Sequence, residues 1–162
     1  MTPDNWRWHR GAVEPGPAVV FDLDGVLSDA AGRQHFIEGG GGRRDWDAFF
    51  EACGEDPLLH DVAELLHLLD PANTVVLLTG RPIRVQPQTV AWLDRYELPW
   101  DLLIMRDYGD YSAAREFKRW TVAALRRSGL ELKLAFEDDR RNLEMFRGEG
   151  VPCIYIHSGY FE

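Results

Sequence analysis

Asp22 and Asp24 stand two residues apart in the segment FDLDGVLSD, with Gly25 directly after them. In an extended chain that spacing puts both carboxylates on one side, and Gly25 permits a tight turn that brings backbone amides toward an anion. A carboxylate attacks phosphorus only if something offsets repulsion between two anions, and a divalent cation bridging Asp22 and a phosphoryl oxygen does so. Mg2+ suits the place, because it prefers oxygen ligands and needs only one or two carboxylates. Asp24 is then placed to protonate the leaving oxygen and to deprotonate the attacking water. A pair of solvated turn acids is the plain alternative; it suits an isolated D-x-D better than this apolar-strand version.

Three further segments offer matching chemistry. After the apolar run TVVLL, the Thr79 hydroxyl and the Gly80 amide can donate to a phosphoryl oxygen. Arg81 adds a charged clamp on phosphate or substrate, unless it simply faces solvent in a strand-to-loop turn. Lys118, one of two lysines in the chain, can hold the Asp22 carboxylate and the phosphoryl group together, although a surface position is the usual fate of lysine. Its rival Lys133 falls inside a predicted strand. Glu137, Asp138 and Asp139 repel one another unless a cation neutralises them. One aspartate would bind the metal directly and the other through water or Lys118, which makes Asp22, Asp24, Asp138 and Asp139 the expected metal set. The same acids would also favour the dipole of a helix starting at Arg140.

The elements that must position these groups alternate. Ala18–Leu23, Thr74–Leu78, Asp101–Met105, Leu132–Phe136 and Cys153–Ile156 read as strands from their apolar, partly β-branched runs. Pro57–Leu69, Pro87–Tyr96, Ser112–Arg127 and Arg140–Gly148 read as helices, with Pro57 suited to a first turn and Ser112 as an N-cap. Such alternation implies an α/β fold, a parallel sheet of about five strands with helices on both faces. Ligands of open parallel sheets bind beyond the carboxyl ends of the strands, and Asp22, Thr79 and Asp138 each sit at such an end. Two stretches fall outside the rhythm. Ser28–Asp56 carries the run Gly39–Gly42, Arg43, Arg44 and the aromatics Trp46, Phe49 and Phe50, expected as a loop and a short amphipathic helix; Asp107–Tyr111 is a loop after the third strand.

At 162 residues the chain suits one domain, 1–162, with an N-terminal extension over 1–16 and a small cap-like insertion over 28–56. A formal net charge of -9 argues against tight binding of nucleic acid over a broad surface, though a small basic groove beside an acidic site remains compatible with it. No apolar run approaches the roughly 20 residues of a membrane span, and Met1–Glu14 lacks the apolar core of a signal peptide, so a cytoplasmic protein that does not enter membranes is expected. Cys53 and Cys153 suggest two partly buried thiols rather than a disulfide framework or a zinc site.

With DLDGVL from Asp22, LLTGR ending in Arg81, Lys118, and EDD at 137–139, the chain resembles the haloacid dehalogenase (HAD) superfamily of phosphatases. The resemblance implies a Rossmann-like core, an aspartyl-phosphate on Asp22 and acid/base work by Asp24. It also implies phosphate held by Thr79 and Lys118, and a Mg2+ site completed by Asp138 and Asp139. From Val75 to Phe161 the chain also resembles phosphatase domains of the bacteriophage polynucleotide kinase-phosphatase type, above all over KLAFEDDRRNLEMFRGEGVPCIYIHSGYF. Those domains remove 3′-phosphates from nucleic acid ends. The chain has no G-x-x-x-x-G-K-[ST] kinase loop, so any 5′-kinase activity is absent or supplied elsewhere.

HAD enzymes of small metabolites usually carry a bulky cap, and here the gaps leave room for little more than a loop and one helix. An uncovered site suits a large substrate, such as a DNA or RNA end or a phosphoprotein. Arg33, Arg43, Arg44, Arg81 and Arg84 could line its approach, and Trp46 or Tyr108 could stack a base. Core packing is the competing reading for Trp46, Phe49 and Phe50. A 5′(3′)-nucleotidase or other small-molecule phosphatase, and a non-catalytic binding module on the same fold, are the alternative functions. Oligomeric state is not legible in the residues.

Overall fold

The computed structural model describes residues 2–38 and 44–161, so Gly39–Gly42 and Arg43 lie outside the described residues. Strand β1 (Trp6–Trp8) precedes β2 (Gly16–Phe21), whose alternation decides the layering. Val19 and Phe21 face one apolar cluster and Ala18 and Val20 the other, as the period of two in a strand requires. β3 (Thr74–Pro82) pairs with one edge of β2 and β5 (Leu130–Glu137) with the other, both parallel to it. β4 (Leu102–Arg106) extends the sheet beyond β3, and β6 (Cys153–Tyr155) extends it beyond β5. The strand order is therefore β1-β4-β3-β2-β5-β6, with β1 antiparallel to β4. The five parallel strands are those expected; the sixth was not, because Trp6-Arg7-Trp8 is too short to show a period.

Helix α1 (Trp46–Glu51) belongs to the insertion after β2. α2 (His60–Leu68) and α3 (Gln86–Arg95) cover one face of the sheet through Ala63, Leu66, Trp92 and Leu93. α4 (Ala114–Arg127) and α5 (Arg140–Gly148) cover the other through Phe117, Val122, Leu125, Met145 and Phe146. Buried on both faces, the central strands read as continuous apolar runs. This is the HAD-type Rossmann-like architecture.

Local boundaries differ from the sequence reading in instructive ways. β3 does not stop at Leu78 but runs to Pro82, with its register to β4 shifting between Leu78 and Pro82, so Thr79, Gly80 and Arg81 sit on a strand. Ser112 is not the cap of α4; its hydroxyl and its N–H both donate to Asp110, and the N-cap is Ala113 without a side-chain bond. The acceptor is the Asp110 carboxylate two residues upstream, an Asx-type turn that takes the serine in place of the helix end. The insertion holds a 3-10 turn at Ala30–Phe36, then α1, then a second 3-10 turn at Ala52–Glu55. Phe49 is buried and Phe50 packs on the core, while Trp46, stacked on Phe50, stays half exposed. Both cysteines are free and buried. No described helix is long and apolar enough to cross a membrane.

Candidate active site

The sheet order makes the site. β2 has one neighbour that leads toward β4 and another that leads toward β6, so the connections diverge at its carboxyl end and leave a crevice there. Phe21 is level with Leu77 of β3 and Phe136 of β5, which brings Asp22, Thr79 and Asp138, each one or two residues further on, to one rim. The Asp22 N–H still donates to the Phe136 carbonyl at 3.2 Å, tying that rim together. A cleft of about 670 Å³ opens over it, and Asp22, Asp24, Thr79, Gly80, Arg81, Lys118, Asp138 and Asp139 all line it.

Asp22 lies at the bottom, 9% exposed, its Oδ1 accepting the Leu23 N–H at 2.8 Å. The turn after it is tight: the N–H groups of Val26, Leu27 and Ser28 all point at the Leu23 carbonyl. Gly25 makes the turn possible with φ +80, a left-handed conformation, and its Cα abuts Asp138. A Cβ there would sit 2.2 Å from Asp138 Oδ2.

Lys118 falls on the buried stripe of α4 with Phe117, Thr121, Val122 and Leu125, so a charged residue takes a core-facing position. Its ammonium is only 2% exposed, lies 3.3 Å from Asp22 Oδ1 and donates to Glu137 Oε1. Burial lowers its pKa, but Asp22 and Glu137 more than offset that and hold it charged. Lys133, by contrast, is exposed and paired with Glu131.

Three acids face that single ammonium. One ligand oxygen each from Asp22, Glu137 and Asp138 lies within 4.8 Å of the others. Glu137 Oε2 and Asp138 Oδ2 are buried without a hydrogen-bond partner, which is costly unless a ligand satisfies them. Burial, and then the charge of Asp22, push the Asp138 carboxyl up to about 8. Buried, surplus negative charge on bare oxygen atoms is what a hard divalent cation needs, and the donor set fits Mg2+. Two expected metal ligands stand apart from this cluster. The Asp24 carboxylate is taken up by Arg33 and Arg81, and the Asp139 carboxylate caps α5, accepting the Arg141 N–H at 2.9 Å and two bonds from the Arg141 guanidinium. Glu137, by contrast, is marked in the sequence only as part of an acidic run.

Asp24 is held by two buried arginines. Its Oδ1 accepts Arg33 Nη2 at 2.6 Å, Arg81 Nη2 at 2.7 Å and Arg81 Nε at 3.1 Å. Burial would raise its pKa, but Arg81 and Arg33 outweigh burial and hold the carboxyl below the usual range. Arg81 is therefore not the outward phosphate clamp expected: it is fully buried, and its remaining donors reach Thr89 and Ser28. Arg33 does not line an approach either; it is 2% exposed and grips Asp56 through Nε and Nη2. Asp56 also accepts from Ser28, and nothing in its sequence neighbourhood marked it. Thr79 is buried, accepting the Arg81 N–H at 3.1 Å, which leaves its own hydroxyl proton to donate.

The family described as "Polynucleotide kinase PNKP phosphatase domain" matches residues 16–161. Among solved structures, a chain of the Pnkp1/Rnl/Hen1 RNA repair complex is similar at 25% identity and a TM-score of 0.76, over 99% of this chain and 48% of that one. A second Pnkp1/Rnl/Hen1 complex gives 28% identity and a TM-score of 0.73, over 88% of this chain and 46% of the other. This chain thus spans about half the length of those two. The haloacid dehalogenase-like hydrolase SP0104 from Streptococcus pneumoniae shares the fold, at 15% identity and a TM-score of 0.60, over 90% of this chain and 86% of its own.

Proposed function

The chain belongs to the polynucleotide kinase PNKP phosphatase family of HAD hydrolases, and from that premise we propose that it removes 3′-phosphates from polynucleotide ends, with Mg2+ and an aspartyl-phosphate on Asp22. The observation that carries the reading is the meeting of Asp22, Thr79, Lys118 and Asp138 in one cleft, from four separate segments. One of the two similar chains comes from a complex described as an RNA repair complex, which supports an RNA end as the first substrate to try.

In this reading an oxygen of Asp22 attacks phosphorus, the bond from phosphorus to the ester oxygen breaks, and that oxygen leaves with a proton from Asp24. Water then attacks the aspartyl-phosphate and passes its proton to Asp24; the bond to Asp22 breaks and inorganic phosphate departs. Lys118 and the Thr79 hydroxyl hold the phosphoryl oxygens and stabilise the charge that develops on them. The three donors on Asp24 Oδ1 orient the carboxyl and leave Oδ2 for proton transfer. Both arginines favour the carboxylate, the form that serves as the base toward water; the acid form is reached against their charge. Asp22, Asp138 and Glu137 would hold the cation. It would offset the repulsion between Asp22 and the substrate.

The test is phosphate release from a 3′-phosphorylated oligonucleotide, with Mg2+ and with chelator, for the wild type and Asp22→Asn. Release that needs Mg2+ and vanishes in Asp22→Asn supports the proposal. Cleavage of nucleoside monophosphates alone would overturn the substrate; release that survives Asp22→Asn would overturn the nucleophile.

A further inference from the structure

We propose that Arg106, Tyr108 and Tyr111 form a subsite for the penultimate nucleotide of a single-stranded 3′ end, Arg106 taking the internucleotide phosphate and the tyrosine rings its base. The inference rests on the polynucleotide reading above and specifies how the chain tells a polymer from a monomer. Four arginines line the cleft. Arg81 is paired with Asp24, Arg84 with Asp47 and Glu51, and Arg141 with Asp139. Among the described residues, no carboxylate lies within ion-pair distance of Arg106.

Arg106 is the last residue of β4, at the carboxyl edge where ligands of such sheets bind. Its Nη1 donates to the Ser112 carbonyl at 2.8 Å and its guanidinium carbon lies 5.5 Å from the centre of the Phe117 ring, so the group is fixed in place. Its Nε is buried without a hydrogen-bond partner. A Cβ built on Gly80 would sit 3.8 Å from Arg106 Nη2, so the cationic tip borders the Thr79-Gly80 stretch proposed to hold the terminal phosphate. Asp110 attracts Arg106 from beyond ion-pair distance, and a fixed guanidinium that lacks a salt bridge, next to one phosphate position, suits a second anion.

The loop after β4 supplies the rings. Asp107 Oδ1 accepts the Tyr108 N–H and Asp110 Oδ1 the Ser112 N–H, which sets the loop's shape. Tyr108 is 76% exposed and Tyr111 93%, yet both line the cleft. Tyrosine rings beside an arginine are the elements of single-strand binding, where a base stacks on the ring and the cation tracks the backbone. A base paired within a duplex offers no free face to such a ring, so the occupant is a single-stranded end.

The test compares kcat/KM for a 3′-phosphorylated dinucleotide, a nucleoside 3′-monophosphate and p-nitrophenyl phosphate. The enzymes are the wild type, Arg106→Gln, Arg106→Lys and the double variant Tyr108→Ala, Tyr111→Ala. The wild type should favour the dinucleotide, and Arg106→Gln and the tyrosine variant should each lower the dinucleotide-to-monophosphate ratio about tenfold, mainly through KM. Arg106→Lys should keep part of the preference. Equal wild-type values for the two nucleotides, or variants that lose all three substrates in proportion, overturn the subsite. Dinucleotide binding in the Asp22→Asn background separates the two proposals. Binding that weakens with Arg106→Gln sustains the subsite even if no phosphate is released from any ester, an outcome that would remove the phosphatase reading alone.

Discussion

Arg33 Nη2 lies 2.6 Å from Asp24 Oδ1 and 2.7 Å from Asp56 Oδ2, so one guanidinium from the insertion joins the proposed acid/base to a buried carboxylate 23 residues further along than itself. Removing one partner of a buried network leaves the others unpaired, at a cost of about 3–5 kcal/mol. Arg33→Ala should lose about that much in urea unfolding, and its kcat should fall further than its KM rises, because Asp24 loses its orientation. A change confined to KM would mean that Arg33 contacts substrate instead.

Gly25→Ala should weaken Mg2+ binding. Its φ of +80 is strained for alanine, and the new Cβ would meet Asp138 Oδ2 at 2.2 Å and the Ser158 Cβ at 2.9 Å. The Asp138 carboxylate must swing away. Titrating activity with Mg2+ should show a raised half-saturation; an unchanged value would show that Asp138 is not a ligand.

Lys118→Met removes the one ammonium among the described residues that faces Asp22 and Glu137. Turnover should drop by about 10²–10³, the range for losing one preorganised donor to developing charge. The metal-free variant should also melt below the wild type, and Mg2+ should recover part of the difference. Full activity in Lys118→Met would exclude the lysine from the phosphate site.

Stability should respond to pH and to Mg2+ together. Asp138 is pushed up to about 8 from a model-peptide value of 3.8, by burial and by the charge of Asp22. A raised folded-state pKa contributes stability that is fully present below the unfolded value and is lost as pH rises through the folded one. Metal-free protein should therefore lose Tm between about pH 4 and 8 from this group. Mg2+ must displace the same proton, so its binding tightens over that window. The gap in Tm between Mg2+ and chelator should widen from pH 5 to 8; a gap independent of pH would mean that the cation does not compete for Asp138.

Much of this was legible in the residues. The runs AVVFDL and TVVLL could be read as covered strands because both faces of the sheet are buried, and position at a strand's carboxyl end was enough to select Asp22, Thr79 and Asp138. Lys118 could be chosen over Lys133 because only one of the two falls outside a strand, and the structure pairs it with Asp22. The same rule applied to β4 points to Arg106, although a lone arginine after a strand has no motif around it to mark it.

What local sequence determines here is where strands end and which chemical groups stand there, because hydrophobic period and turn chemistry act over a few residues. What those groups face is another matter. That Arg81 and Arg33 turn inward onto Asp24, that Glu137 rather than Asp24 joins Asp22 and Asp138, and that Asp139 caps a helix were decided by the tertiary structure alone. Charges pair according to distance and burial across the sheet, and segments 57 residues apart, such as Asp24 and Arg81, meet only once the strands have been ordered.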